Sequence, residues 1–493
     1  MNEWLRICDE DHTECVDEPT VGVYPELPTR VIDIGELSTD HLRLCAFSTE
    51  DKESSWQPRY IALSHCWGNL AEEQKRQYCT SAENIDERSK QGFDMAILPR
   101  TFQDAVTVTR ELGRRYLWID SLCIIQYGDN MEDWKREATR MEGVFRNAYC
   151  TIAATSAADS AKGFLKRPRV QQPELQCIKV ESSAHGPVYV SSVADDFQRD
   201  VEQGILNQRA WVLQERALSR RIIHFTATQA YWECGSGVRC ETLTYMRNSR
   251  ALFLGDAKFP ESLNLRRSLD KIKLFQDLFM TYSRLGITKH TDRPHAISGL
   301  EQRLASTFGT EARYGVFEKY LHRSLLWQRS GAKRMDRILY ADDDAVVPSW
   351  SWMAYDGEFE YLEINSDYVE WVEEVKLADK MLKAQVRRFR GCKLVRKDNG
   401  TCSIEAKEGK GERGWLKYDT KPLMDLRELR CVIIGREKEW NGSGNRIVGT
   451  DHYVLLVTPR DSETGKVFAR VGVGFVPSGY IRFQKKQSEE CIV

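Results

Sequence analysis

"RYLWIDSLCIIQYGDNMEDWKREATRM" (residues 115–141) joins two different textures. Its first half, YLWIDSLCIIQ (116–126), is continuous, apolar and rich in Ile, which suits a strand in the interior of a parallel sheet better than one at a surface. One acid, Asp120, interrupts it. A carboxylate in a buried strand must be hydrogen-bonded or paired, and perturbed carboxylates gather at functional sites. Its structural partners would be Ser64, backbone N–H groups, Arg100 or Arg209. After the turn YGDN, where Asp129 or Asn130 is placed to cap, MEDWKREATRMEGVFRNA (131–148) aligns Trp134, Ala138, Met141, Phe145 and Ala148 along one helix.

The same alternation extends on both sides. RYIALSHCWG (59–68) is a short apolar run closed by Gly68, and LPRTFQDAVTVTRELG (98–113) puts Phe102, Ala105, Val106, Thr109 and Leu112 on one helix face before a Gly113 cap. YCTIAATSA (149–157) is the next strand. These βα units predict a doubly wound parallel sheet, whose ligands bind at the carboxyl ends of the strands. Ser64 to Gly68 and Asp120 to Asp129 lie at two such ends.

Beyond residue 165 the texture changes. KRPRVQQPE (166–174) reads as a surface loop, VYVSSV (188–193) as a strand, and residues 207–234 as a helix followed by a strand. SLDKIKLFQDLFMTYSRL (268–285) and HAISGLEQRLASTF (295–308) are helical, while short β-rich runs follow VPSWSWMAYDG (347–357). Trp350 and Trp352 carry enough apolar area to dock on the helical segment. The expected organisation is an extension at 1–57, an α/β domain at 58–235, a helical region at 236–330 and a β-rich region at 331–493.

Composition narrows the function classes. The 493 residues carry 71 basic and 73 acidic side chains without long blocks, so no global field attracts nucleic acid or an anionic membrane. No apolar run reaches the ~20 residues of a membrane span. The 14 cysteines are scattered without a CxxC pair, which reads as reduced thiols in a cytosolic or nuclear protein, and the location expected is cytoplasmic. Cys8, His12 and Cys15 are a weak metal signal on their own, and no metal or cofactor is assigned.

In order, YIALSHCWG, LPRTFQDAVTVTRELGRRYLWIDSLCIIQ, DWKREATRMEGVFRNAYCTIAATSA and RAWVLQERALSRRIIHF resemble the successive blocks of the heterokaryon-incompatibility (HET) domain of filamentous fungi, over roughly residues 58–235. The later stretches 282–300 and 347–357 resemble segments that follow it in long HET proteins. The resemblance implies a self/non-self recognition system that kills fused cells. HET domains are distantly similar to Toll/interleukin receptor (TIR) domains, many of which cleave NAD+ with a Glu on a helix after a central strand. In these terms the fold is α/β, a TIR-like parallel sheet followed by a helical segment and a β-rich module.

Cleavage of NAD+ passes through an oxocarbenium-like ribosyl state, which calls for a carboxylate near the ribose and an aromatic slot for nicotinamide. The resemblance assigns Glu137 as the catalytic carboxylate and Asp120 as a second acid or orienter. Ser64, His65, Trp67, Gly68, Gln126 and Trp134 would line the substrate pocket. Trp134 and Glu137 share a helix face, and Glu137 as a first-turn acid would be held by free N–H groups. The bland readings are a core Trp134 and an ordinary helix acid. His65 and Cys66 are adjacent and point apart, so they do not form a nucleophile–base pair, and Cys66 reads as a small buried hydrophobe. Arg209, Trp211, Gln214 and Glu215 either reach the pocket or brace the domain through ion pairs. The partners expected are NAD+ or a related nucleotide, a second copy of the chain when active, and a partner protein as trigger. The rival readings are a non-enzymatic, self-assembling signalling module and a regulator acting through its C-terminal part.

Overall fold

A computed structural model describes residues 1–12, 15, 27–36, 39–47, 59–167, 178–182, 186–190, 195–242, 244–246, 259–331, 333–340, 346–397, 400–406, 412–440, 446–460, 466–483 and 489–493. The chain divides into two units, Met1–Ser262 with His295–Leu300, and Leu263–Pro294 with Glu301–Val493. Most of KRPRVQQPE and the end of VYVSSV lie outside the described residues.

In the first unit the order is α1 (Asn2–Asp11), β1 (Arg30–Asp33), β2 (His41–Ala46), β3 (Tyr60–Ser64), α2 (Glu72–Tyr78), α3 (Ile85–Lys90), β4 (Phe93–Asp94), α4 (Arg100–Glu111), β5 (Tyr116–Trp118), α5 (Asp120–Cys123), α6 (Glu132–Ala138), α7 (Met141–Asn147), β6 (Cys150–Ala153), the hairpin β7 (Ile178–Ser182) and β8 (Gly186–Val190), α8 (Ala210–Leu218), β9 (Arg221–Phe225), β10 (Ala230–Cys234), β11 (Gly237–Cys240) and β12 (Tyr245–Met246). Ten of these strands form one sheet in the order β12-β11-β10-β9-β6-β3-β5-β1-β2-β4.

The expected parallel sheet is corrected to a mixed one. Only β5, β3, β6 and β9 run parallel, and each of their connections carries helices. The flanking pairs are antiparallel. On the β10 side they are hairpins with short turns, which cannot join parallel neighbours. Two strands of the expected extension, β1 and β2, lie inside this sheet.

Local chemistry explains the details. Phe102, Ala105, Val106, Thr109 and Leu112 are all buried, as the helical spacing predicts. Gly113 ends that helix at φ +67°, with its N–H on the Arg110 carbonyl (2.8 Å) and the Arg114 N–H on Thr109 (3.0 Å). The single helix expected over 131–148 is two, α6 and α7. At the break the Thr139 hydroxyl donates to the Arg136 carbonyl at 2.8 Å, the local competition for carbonyls that shortens helices. Asp129 caps α6, accepting from the N–H groups of Met131 (3.1 Å) and Asp133 (2.8 Å).

The second unit holds α9 (Ser268–Ser283), the later part of α10 (His295–Phe308) and a 12-stranded, mostly antiparallel sheet around the long strands Arg430–Trp440, Arg446–Pro459 and Val467–Pro477. Trp350 and Trp352 are fully buried. Trp352 packs on Phe279 (5.3 Å) and Tyr282 (5.8 Å) of α9 and stacks on Phe359 (4.8 Å), the docking expected from sequence. Truncation at about residue 330 is therefore expected to expose α9 and give aggregated protein in size-exclusion chromatography. A monodisperse, folded fragment contradicts this. Among the described residues no helix is long and apolar enough to cross a membrane.

Candidate functional site

The carboxyl ends of β3 and β5 bring one cluster together. Asp120 is not inside a strand, which corrects the first reading: β5 stops at Trp118, and Asp120 opens the one-turn helix α5. Its side chain keeps 28% of its surface exposed, so the carboxylate is not sealed in the sheet as the apolar run suggested. The Trp67 indole N–H donates to one carboxylate oxygen at 2.7 Å, and the Ser121 N–H to the other at 2.6 Å. Ser64, Arg100 and Arg209, its expected structural partners, are instead bound to Glu215, Asp104 and the His65 carbonyl respectively.

His65 Nε2 lies 3.8 Å from Asp120 and, although buried, has no hydrogen-bond partner among the described residues. The imidazole is roughly parallel to the Trp67 ring and edge-on to Phe102 at 4.9 Å. Burial favours the neutral ring and holds its pKa below the ordinary range, against the opposing pull of Asp120. Cys66 turns the other way, into a cluster with Ala153, Leu206, Val212 and Ile222, and burial pushes its thiol up. It is the small hydrophobe that was expected. Gly68 adopts φ +74°, and a Cβ there would sit 2.1 Å from that of Asp159. Only glycine fits this approach.

Behind β3, the Ser64 hydroxyl donates to Glu215 on α8. Burial, then the nearby Asp120 charge, push the Glu215 carboxyl up to about 7, with Ser64 and Arg209 pulling the other way. Since this acid is raised above its unfolded value of 4.5, its contribution favours the fold below pH ~4.5 and is lost as pH rises through about 7. Glu215→Gln is expected to melt progressively higher than the parent as pH goes from about 5 to 8. Thermal melts at the two ends check it; a constant gap contradicts the placement.

Glu137 and Trp134 are engaged elsewhere. Glu137 is buried in the last turn of α6, not the first, so the helix dipole does not hold it. Thr29 (2.8 Å) and Arg136 (3.1 Å) donate to it instead. Beside it, Asp133 pairs with Arg30 and Arg136. Trp134 packs edge-on against Trp211 (6.3 Å) and His295 (5.7 Å). Gln126 donates to the Asp120 and Ile124 carbonyls, both at 3.2 Å, and so holds the loop after α5 without facing the carboxylate. Thus Ser64, His65, Trp67, Gly68, Asp120 and Gln126 fall around one strand-end cluster, and Trp134 and Glu137 make separate contacts. Thr29 and Arg30 had no local signal, because their side-chain partners lie 93 or more residues away.

Residues 60–215 match the family described as heterokaryon incompatibility protein (HET). The chain carries a HET domain. The match runs from the first residue of β3 to Glu215, so it contains every residue of the strand-end cluster. No curated protein and no solved structure matches the chain.

Proposed function

We propose that this chain is a cytoplasmic effector of heterokaryon-incompatibility-type recognition and cell death, and that its HET domain hydrolyses NAD+ at Asp120. The observation that carries the reading is a partly exposed carboxylate, fixed through both oxygens, at the end of a central parallel strand and beside an unpartnered imidazole nitrogen. Asp120 faces the ribosyl cation as the C1′–N bond breaks and the bonding pair leaves with nicotinamide. Water then adds to C1′, and His65 Nε2 takes its proton. Trp67 both orients Asp120 and forms a wall of the nicotinamide slot. The buried contacts of Glu137 favour Asp120 as the reacting carboxylate and give Glu137 the role of holding α6 against Thr29.

The test is incubation of the purified full-length chain, at high concentration, with NAD+. Equal amounts of nicotinamide and ADP-ribose are expected, with specific activity rising with concentration if the active form is a self-assembly. A chain that kills cells while NAD+ stays intact overturns the hydrolase reading in favour of a non-enzymatic signalling module.

A further inference from the structure

A second cluster in the first unit lies apart from the strand ends of β3 and β5. Cys8 and His12 stand one turn apart at the end of α1, where the spacing puts both on one face. The Cys15 N–H donates to the His12 carbonyl at 2.9 Å, which holds Cys15 alongside. Cys234, the last residue of β10, arrives from 222 positions beyond His12. The ligand atoms of all four side chains lie within 4.8 Å of one another.

We propose that Cys8, His12, Cys15 and Cys234 form a tetrahedral structural zinc site that fastens α1 to the end of β10. Zinc bonds of about 2.3 Å to sulfur and 2.0–2.1 Å to nitrogen, at tetrahedral angles, set S···N near ~3.6 Å and S···S near ~3.8 Å. Cys234 Sγ lies 3.5 Å from His12 Nδ1. That pair stands at the required spacing, and all four ligand atoms lie within 4.8 Å of one another. Three cysteines and one histidine are also a donor set that zinc takes in closed structural sites.

One further feature suits thiolates rather than ordinary buried thiols. Arg221, which pairs with Asp9 at 2.7 Å and donates to the Cys15 carbonyl, puts a positive charge beside the cluster. Loading releases three thiol protons to solvent, so three thiolates and one imidazole around the ion carry one net negative charge beside the Arg221–Asp9 pair. The sulfurs and the metal undergo no redox change. The contact that the ion would reinforce is already apolar: Trp4 of α1 packs on Trp232 of β10 with ring centroids 6.4 Å apart.

The test begins with elemental analysis of the full-length chain purified without chelator. About one zinc per chain is expected. Replacing it by cobalt should give the visible d–d bands of a tetrahedral centre with thiolate charge transfer. Cys234→Ser should lower the zinc to below about a tenth per chain, and His12→Cys, which restores a four-ligand set, should retain it. Should Cys234→Ser fail to fold, alkylation of the parent decides: Cys8, Cys15 and Cys234 should resist modification until a chelator is added, then react together. The proposal is overturned by a zinc-free parent, by alkylation at the same rate with and without chelator, by a disulfide among these cysteines in the native chain, or by zinc that persists in a folded Cys234→Ser.

Discussion

Asp120→Asn is expected to lower NAD+ cleavage by a factor of about 10²–10³ while leaving the melting temperature close to that of the parent. The amide keeps the shape of the side chain and one oxygen for the Trp67 indole, and gives up the acceptor for the Ser121 N–H on a side chain that is partly exposed. What is lost is the full carboxylate facing the ribosyl cation, worth ~3–4 kcal/mol where a preorganised partner is removed. Cell killing should fall with the activity. Glu137→Gln separates the two acids. It replaces a buried acceptor of two hydrogen bonds with a group that also brings N–H donors, so it should cost about 1–3 kcal/mol of stability and reduce activity only as far as it unfolds the domain. The discriminating measurement is kcat on folded protein for both variants, with melts alongside. If Asp120→Asn retains full turnover while a stably folded Glu137→Gln loses it, the reacting carboxylate is Glu137. If both kill cells as well as the parent with NAD+ unchanged, the domain signals without hydrolysis.

What could be read in the sequence follows from the range of the interactions involved. The face of α4 was legible because every member of it, from Phe102 to Leu112, is set by a local 3.6-residue period, and the Gly113 stop by backbone sterics. The docking of Trp352 was legible because so large an apolar surface has to be covered. Direction and partnership were not. Nothing local tells whether β1 enters the sheet parallel or antiparallel; its register with β5, Ile32 opposite Leu117, spans 85 residues of chain. The apolar run 116–126 hid the end of a strand, since Leu122, Cys123 and Ile124 are buried whether the chain runs as strand or as the single turn of α5. Asp120 marked that end, and it read as a defect in a longer strand instead. Its partner Trp67 lies 53 positions away, as Cys234 lies 222 from His12. Pairings of that kind appear only once the sheet order is known.

A larger effect on stability is expected where α8 packs on β9 and β10 of the same sheet. Arg216 of α8 reaches Glu233 of β10 through two hydrogen bonds of 2.9 Å and Glu202 through a third of 2.8 Å, while His224 of β9 contacts Glu233 at 2.9 Å. Arg216, Glu233 and His224 are all nearly solvent-free. Burial alone would raise the Glu233 carboxyl, yet Arg216 and His224 hold it well below the usual range. Burial also keeps His224 below its ordinary range, so the neutral ring donates its N–H to the carboxylate. Glu233→Gln leaves the Arg216 guanidinium with Glu202 as its carboxylate partner and strands part of a buried charge, which typically costs about 3–5 kcal/mol. For a unit of this size the melting temperature should drop by on the order of 10 °C. The sign of the pH dependence follows. Because the folded carboxyl is lowered, its stabilisation is fully present above the unfolded value of 4.5 and is lost as pH falls below it. The gap between parent and variant should therefore be widest near neutrality and narrow in acid. Replacing Arg216 and Glu233 together by Met removes both opposed charges, and should recover part of the loss, since apolar packing often equals a buried ion pair. A Glu233→Gln protein that melts within ~2 °C of the parent at pH 7, or a gap that widens in acid, would show that this part of the sheet is held by its apolar contacts instead.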